Sequence, residues 1–394
     1  MKPGFYIILI AQFLSALADN ALLFAAIALL ATLNAPEWHT PLLQQFFVFS
    51  YIILAPFVGS ISDAFPKGAV MFASNSIKVV GCAGMIFGLA PLYAYGIVGI
   101  GAAAYSPAKY GILTELLPSD QLVAANGWME GSTVSAIIFG AIIGGVLAKN
   151  DPYFAMYIIA ALYIAAAIFN IYIPKLPIEH KLESKSVWFI LKDFVHAFIA
   201  LWKDPLGQVS LAVTTLFWGA GATLRLVVLS WAALTLNFSI EQSTQLIAIV
   251  AVGIAIGSIV ASKYIRLEDS VKVLPAGILM GILVIGMVFI THWIEASVLL
   301  FFIGALGGFF VVPLNALLQH QGHHLIGAGH SIAVQNFNEN IGILVMLGFY
   351  LLMVKANISM NYIITAFGLF VILSMSIINR VYRNKIITNY PLSE

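Results

Sequence analysis

Charged residues are scarce in this chain of 394 residues, at 9% of the sequence against roughly a quarter in soluble domains. Hydrophobic residues make up 61%, and a water-soluble domain of this length cannot bury so much apolar surface. The net charge of +1 gives no basic field of the kind that attracts nucleic acid. The single cysteine, Cys82, excludes an intrachain disulfide framework. These absences indicate a chain made for a lipid bilayer.

Motifs for nucleophilic and metal-dependent catalysis are also missing. The sequence has no His-x-x-x-x-Asp, no Gly-x-Ser-x-Gly and no His-Glu-x-x-His, so no nucleophile stands beside a base. A membrane-embedded acyltransferase or hydrolase is therefore disfavoured. We expect no enzymatic activity, no cofactor and no metal.

Apolar segments of about 20 residues, the length that a helix needs to cross a bilayer core, recur along the chain. The apolar N-terminal segment continues through Asp19 to about Leu33, so we interpret it as a retained first span and not as a signal peptide. The sequence predicts an all-α polytopic membrane protein with twelve transmembrane helices. They lie near residues 4–33, 42–63, 69–89, 92–117, 126–148, 152–173, 206–234, 243–264, 271–291, 293–319, 329–353 and 359–380.

Lysine and arginine are distributed unevenly among the predicted loops. With both termini in the cytoplasm, thirteen of the eighteen cationic side chains lie on the cytoplasmic side and two, Lys149 and Lys355, lie outside. Positively charged loops tend to stay in the cytoplasm. We therefore expect a multi-pass membrane protein with both termini cytoplasmic.

The two halves of the chain resemble each other at an offset of about 203–206 residues. Thr32-Leu33-Asn34 ends the first span as Thr235-Leu236-Asn237 ends the seventh, and Gly101 and Pro107 match Gly307 and Pro313. We predict one six-helix half over residues 1–173, a cytoplasmic linker over 174–204 and a second half over 205–394. Within the linker, residues 186–202 form an amphipathic segment that would lie in the membrane interface. Two parallel halves are typical of major facilitator transporters.

The loop after the second span reads Gly59-Ser-Ile-Ser-Asp63-Ala-Phe-Pro-Lys67. It resembles the signature loop of the major facilitator superfamily, G-x-x-x-D-x-x-x-[RK]. At a helix boundary, Asp63 can hold helix N-terminal amides or a cation in one conformation and lose them in another. Gly59, Asp63 and Lys67 are therefore candidate gating residues. A helix cap beside a cytoplasmic lysine is the simpler alternative.

Four longer segments resemble the lysophospholipid transporters of Gram-negative inner membranes. They are AQFLSALADNALLF (11–24), GAAAYSPAKYGIL (101–113), LFWGAGATLR (216–225) and GFFVVPLNALL (308–318). The resemblance implies flipping of lysophosphatidylethanolamine and related lysolipids from the periplasmic to the cytoplasmic leaflet of the inner membrane. It also implies a separate acyl-carrier-protein-dependent synthetase/acyltransferase that re-acylates them, and a monomeric transporter.

Ionisable side chains inside the predicted spans fit such a cargo, because they usually face a cavity or each other. A zwitterionic headgroup needs both signs of charge. Arg225 offers a planar fork suited to phosphate, while Asp19 could receive the ammonium or pair with Arg225. The candidate substrate-binding residues are Asp19, Asn20, Lys109, Glu130, Trp218 and Arg225, and Lys78 and Glu339 join the gating candidates.

Simpler interpretations stand beside these roles. Asp19 and Arg225 could form an ion pair that only joins the two halves, and Lys109 could extend to the interface without binding a ligand. Lys78 could be structural, and Glu130 or Glu339 could be the counter-charge of either lysine. The alternative function is transport of another amphipathic or soluble small molecule.

One glycine cluster and one histidine cluster also stand out in the sequence. Gly140, Gly144 and Gly145 in span 5 predict close helix packing. The histidines of the predicted loop between spans 10 and 11 are expected to be solvated and not to bind a metal. They are His320, His323, His324 and His330.

Overall fold

The computed structural model describes residues 3–36, 39–178 and 186–389, and every regular element in these ranges is helical. Lys2, Lys181 and Lys185, which the predicted orientation uses, lie outside the described residues, as do the side chains of Arg383 and Lys385. The α-helices are α1 (Pro3–Thr32), α2 (His39–Ala64), α3 (Lys67–Ile86), α4 (Pro91–Leu116), α5 (Leu122–Asn150), α6 (Pro152–Ile171), α7 (Val187–Lys203), α8 (Pro205–Thr235), α9 (Ile240–Tyr264), α10 (Leu274–Gly286), α11 (Trp293–Ile326), α12 (Ala328–Lys355) and α13 (Met360–Asn389).

The predicted spans correspond to α1–α6 and α8–α13, and α7 is the amphipathic helix of the linker. In the described part of the chain, eleven helical segments are long and apolar enough to cross a membrane. The remaining one, α4, is long enough but less apolar, since tyrosines, glycines and two prolines interrupt its aliphatic residues. Around α10, short 3-10 turns at Leu267–Val273 and Met287–Phe289 complete the span.

The predicted loop between spans 10 and 11 is wrong. α11 continues to Ile326 and α12 begins at Ala328, so His320, His323 and His324 lie on the last turns of α11. Their polarity lowered the apolar average on which the predicted boundary rests. The chain turns instead at Gly327, whose φ of 97° suits a residue without a Cβ.

Contacts divide the chain into two compact units, each described by itself. The first unit comprises Met1–Gln121, Ser132–Ala200 and Gln319–Phe337, and the second comprises Leu122–Gly131, Leu201–Leu318 and Asn338–Glu394. The start of α12 therefore belongs with α1–α4 and α6. The predicted halves, 1–173 and 205–394, stay a prediction.

In the first unit, α1 packs on α6, and α3 packs on both α4 and α6. The buried side of α1 is rich in alanine, which lets neighbouring backbones approach closely. Gly140 and Gly144 of α5 continue this pattern, because a Cβ at either would meet backbone atoms of α1. Gly145 has open space beside it, so the predicted close packing holds for two of the three glycines.

In the second unit, glycines bring α9 and α11 together. A Cβ on any of four of them would overlap a carbonyl oxygen of the facing helix. Helices in lipid gain little from apolar burial against each other, so this packing contributes through van der Waals contact. The contacts are Gly253 with Phe301, Gly257 with Ala305, Gly304 with Val250 and Gly308 with Ile254.

The repeat visible in the sequence reappears at helix ends. α1 and α8 are each followed by an asparagine with positive φ, 51° at Asn34 and 54° at Asn237. Asparagine tolerates this left-handed conformation, which ends a helix while pairing its last carbonyls. At α1 the amide of Ala35 donates to Leu30 O at 2.9 Å. The similar ends explain why Thr-Leu-Asn recurs in the two halves.

We predict that Gly144→Val destabilises the protein whereas Gly145→Val does not. A Cβ at Gly144 would lie 2.5 Å from the Ala21 carbonyl oxygen, so the larger side chain must push α1 and α5 apart. Overpacking of this kind costs about 1–3 kcal/mol. Thermal unfolding of the two variants in one detergent measures the difference, and equal melting temperatures would contradict the packing described here.

Candidate functional site

A buried ion pair joins α1 to α3. Lys78 Nζ lies 2.7 Å from Asp19 Oδ2 and also donates to Ser15 Oγ at 3.0 Å. On the other carboxylate oxygen, the Tyr163 hydroxyl of α6 donates to Asp19 Oδ1 at 2.8 Å. We call Asp19, Lys78, Ser15 and Tyr163 the charged centre.

The two charges of this centre differ in accessibility. The Lys78 side chain is 1% exposed, whereas that of Asp19 is 20% exposed. The Lys78 ammonium also lies 5.0 Å from the Tyr105 ring centroid and 5.6 Å from that of Tyr163, within the range of cation–π attraction. Lys78 is thus enclosed by partners, while the carboxylate has an open side that can receive a cation.

Local sequence explains how the centre forms. Ser15 and Asp19 are four residues apart, so they share one face of α1. On α4, Gly101 allows close approach of α3, since a Cβ there would lie 2.7 Å from Lys78 Cγ. Ser15 Oγ in turn donates to Asn75 Oδ1 at 2.7 Å, one turn before Lys78 on α3.

The charged centre answers a question that the sequence left open. The candidate counter-charges of Lys78 were Glu130 and Glu339, but its ion pair is instead with Asp19 of α1. Arg225, the side chain expected to pair with Asp19, lies exposed on α8 in the second unit. Tyr163 was not predicted, because a tyrosine inside an apolar helix gives no sign of which carboxylate it will meet.

The other predicted substrate-binding residues have varied surroundings. The Asn20 side chain donates to Ala16 O at 2.8 Å on its own helix, and Lys109 Nζ lies 4.2 Å from the Tyr110 ring centroid. Trp218 is half-buried, with its ring edge to face against Phe217. Glu130, a predicted substrate-binding residue, and Glu339, a predicted gating residue, are both buried in the second unit.

A second polar cluster surrounds Asp63 at the end of α2. Its carboxylate accepts hydrogen bonds from the backbone amides of Gly329 at 2.6 Å and His330 at 3.0 Å, in the first turn of α12. It also accepts from Lys67 Nζ at 2.9 Å, and Lys67 reaches Glu115 at 3.1 Å. We call this set the α2–α12 contact. Helix N-terminal amides and a cation are the two partner types predicted for Asp63.

Glycines on both helices make room for the α2–α12 contact. A Cβ on Gly59 would lie 2.9 Å from Ala333 Cβ, and one on Gly329 would lie 2.6 Å from Asp63 Oδ1. Any side chain at either position would push α2 away from α12. The spacing of Gly59 and Asp63 in the signature loop therefore has a direct packing reason.

His330 is the functional residue that the sequence missed. Its Nδ1 lies 2.7 Å from Asp63 Oδ2, and its Nε2 lies 3.0 Å from Asp193 Oδ2 on α7 and 3.1 Å from Ser60 Oγ. A neutral imidazole has only one N–H, so donation to both carboxylates requires the doubly protonated ring. Grouping His330 with the other histidines concealed it, although its place at the start of a span was visible.

Asp193 completes this cluster from the linker. Its hydrogen bond with His330 lowers the pKa of Asp193 below its usual value. The carboxylate is therefore ionised at neutral pH and suits a positively charged partner.

The second unit contains an apolar cavity of about 610 Å³ between α10 and α11. Its walls include Leu279, Leu283, Val298 and Phe302, with Glu295 as the one charged lining residue.

Within the described residues, no group of three or more His, Cys, Asp or Glu side chains could hold a metal ion.

Comparison with known proteins identifies the family. The sequence model of the Major Facilitator Superfamily matches residues 8–347. This chain belongs to the major facilitator superfamily. The structure of the human organic anion transporter MFSD10 (TETRAN) has a TM-score of 0.77 and 15% identity, and the match covers 96% of this chain and 100% of that one. The structure of FucP in its outward conformation has a TM-score of 0.76 and 15% identity, and the match covers 96% of this chain and 98% of that one. At such identities the likeness shows the fold alone.

Relatives within the superfamily are more similar in sequence. A protein of Enterobacter sp. (strain 638) named lysophospholipid transporter LplT is 47% identical over 368 residues, 93% of each chain. The protein of the same name from Serratia proteamaculans (strain 568) is 48% identical over 349 residues, 88% of each chain. That from Escherichia coli O1:K1 / APEC is 46% identical over 368 residues. This superfamily consists of transporters, so the chain is not an enzyme.

We predict that Asp63→Asn speeds amide hydrogen exchange in the first turn of α12. The amides of Gly329 and His330 would lose an ionised acceptor. Because hydrogen bonds to charged groups contribute about 1.5–3 kcal/mol, the exchange rate of these amides should rise about tenfold or more. Hydrogen exchange with mass spectrometry on the purified protein measures this.

Asp151→Asn is the matched control, because Asp151 caps α6 through the amides of Tyr153 and Phe154. It should speed exchange at the start of α6 and leave α12 unchanged. Unaltered exchange at Gly329 and His330 in Asp63→Asn would show that the carboxylate does not hold this turn.

Proposed function

We propose that this protein carries lysophospholipids, such as lysophosphatidylethanolamine, from the periplasmic to the cytoplasmic leaflet of a bacterial inner membrane. The observation that carries the proposal is the charged centre, whose enclosed Lys78 leaves one side of Asp19 open. Relatives at 46–48% identity that are named lysophospholipid transporters support the cargo class.

The chemistry of the cargo suits the charges of the protein. A lysophosphatidylethanolamine headgroup has one phosphate and one ammonium, and the open carboxylate of Asp19 can receive the ammonium. Arg225 is exposed on α8 and offers five N–H donors in a planar fork, which suits a phosphate. In this proposal Asn20, Lys109, Glu130 and Trp218 line the route as further polar and aromatic contacts.

Movement across the bilayer would follow alternating access, with the α2–α12 contact formed in one conformation and broken in another. Gly59, Asp63 and Lys67 then act in gating, together with Glu339. The distribution of lysine and arginine among the loops supports an orientation with both termini in the cytoplasm. A separate acyl-carrier-protein-dependent synthetase/acyltransferase would consume the delivered lysolipid, and the transporter would act as a monomer.

We predict that neutralising the ion pair separates stability from transport. Asp19→Asn or Lys78→Met alone leaves one charge without its partner, which typically costs about 3–5 kcal/mol. The double variant removes both charges, so it should regain much of the thermal stability. It should still transport labelled lysophosphatidylethanolamine at least about tenfold more slowly, because the ionised acceptor for the ammonium is lost. Uptake into the inner leaflet of proteoliposomes measures transport.

The matched control removes an exposed ion pair, Asp269 and Lys272, which are 38% and 79% exposed. Asp269→Asn/Lys272→Met should change neither melting temperature nor uptake appreciably. Native uptake by the double variant at Asp19 and Lys78 would reduce the charged centre to a structural ion pair.

We predict that Arg225→Lys raises the KM for lysophosphatidylethanolamine about tenfold, because lysine keeps the charge but cannot bind phosphate through two parallel N–H bonds. Arg266→Lys is the control, since Arg266 is 76% exposed in a loop. Uptake rates at several lysolipid concentrations give the KM of each variant and of the native protein. An unchanged KM in Arg225→Lys would remove Arg225 from the binding site.

Competition tests the cargo class itself. Unlabelled lysophosphatidylethanolamine should block uptake, whereas glycerophosphoethanolamine, which has the same headgroup without an acyl chain, should not. Equal competition by both would favour a transporter of soluble small molecules.

A further inference from the structure

The linker helix α7 has apolar side chains on two opposite faces. On one face, Phe194 and Ala197 are buried, and the Phe194 ring packs edge to face on Phe337 of α12 with centroids 5.6 Å apart. This face fixes α7 against the first unit. Among the described residues, no contact of this kind covers the opposite face.

That opposite face is formed by Trp188, Val195 and Ile199, which are 77%, 51% and 41% exposed. Spacings of seven and four residues align them along the helix. Lys192 is exposed on the same stripe. An aromatic and aliphatic stripe with a basic residue is the composition that binds a bilayer surface containing anionic lipid.

The sequence before α7 adds to this charge. Between residues 175 and 186 there are three lysines against two glutamates. Basic residues beside an amphipathic helix strengthen its attraction to an anionic leaflet. An anionic lipid surface therefore matches both the apolar side chains of the stripe and the lysines beside it. A soluble acidic partner would match only the lysines, and an uncharged one would not match their charge.

α7 is also connected to the α2–α12 contact. Asp193 Oδ2 lies 3.0 Å from His330 Nε2, and His330 Nδ1 lies 2.7 Å from Asp63 Oδ2. Asp63 then holds the two backbone amides at the start of α12. Displacing α7 would remove one of the two carboxylates around the His330 ring.

We propose that α7 binds an anionic lipid surface through Trp188, Val195 and Ile199 and thereby stabilises the α2–α12 contact through Asp193 and His330. Lipid composition on one side of the membrane would then influence the conformation of the transporter. The proposal requires only that the protein lies in a bilayer and does not depend on its cargo.

Hydrogen exchange of the full chain in lipid nanodiscs tests this. We expect exchange in the first turn of α12 to be several-fold slower in discs containing phosphatidylglycerol than in discs of phosphatidylcholine alone. Asp193→Asn should speed exchange about tenfold, as for loss of a charge-assisted hydrogen bond, and abolish the lipid dependence. Trp188→Ser/Ile199→Ser should abolish the lipid dependence while keeping Asp193.

Asp120→Asn is the control, because Asp120 is an exposed carboxylate in the short turn before α5. This variant should keep the native lipid dependence. Melting temperatures show whether each variant is folded. Equal exchange of the native protein in both kinds of disc, or a lipid dependence that persists in Asp193→Asn, would overturn the proposal. Neither result depends on lysolipid uptake, so the cargo is tested separately.

Discussion

The cost of an ionised group away from water is the constraint on which the polar architecture of this protein depends. A carboxylate or ammonium inside a membrane must have a partner of opposite charge, enough hydrogen bonds, or an aqueous cavity. Lys78 satisfies this need with Asp19, Ser15 and two aromatic rings. Because its ammonium is enclosed, Asp19 is the more exposed member of the pair, with 20% of its side chain exposed against 1% for Lys78.

The same constraint shapes the α2–α12 contact, where the solution is different. Asp63 combines backbone amides, a lysine and a histidine. The two amides and His330 belong to α12, so these donors would be lost together if α2 and α12 separated, whereas Lys67 at the start of α3 would remain. Glycines at 59 and 329 are the steric condition for this arrangement. Polar chemistry and close backbone packing therefore act jointly, since either glycine replaced by a larger residue would remove the donors from reach.

Close approach at glycine and alanine also supports the apolar remainder of the fold. α5 approaches α1 at Gly140 and Gly144, and α9 meets α11 at four glycines. In lipid such contacts replace the hydrophobic drive that holds soluble helices together. They also set the position of the ionised groups, as Gly101 does for Lys78.

The membrane class, the twelve long helices, the linker helix and the signature loop at Asp63 could be predicted from local hydropathy and from residues close together along the chain. The sequence also marked Asp19 and Lys78 as functional candidates, since any charge in an apolar span is conspicuous. The packing of the helices was needed to see that these two form a pair, that Tyr163 joins them, and that His330 lies between Asp63 and Asp193. These partners are 59 to 267 residues apart in the chain. Hydropathy records which residues avoid water but not which helices are neighbours, and that is why the pairing of charges could not be read from the sequence.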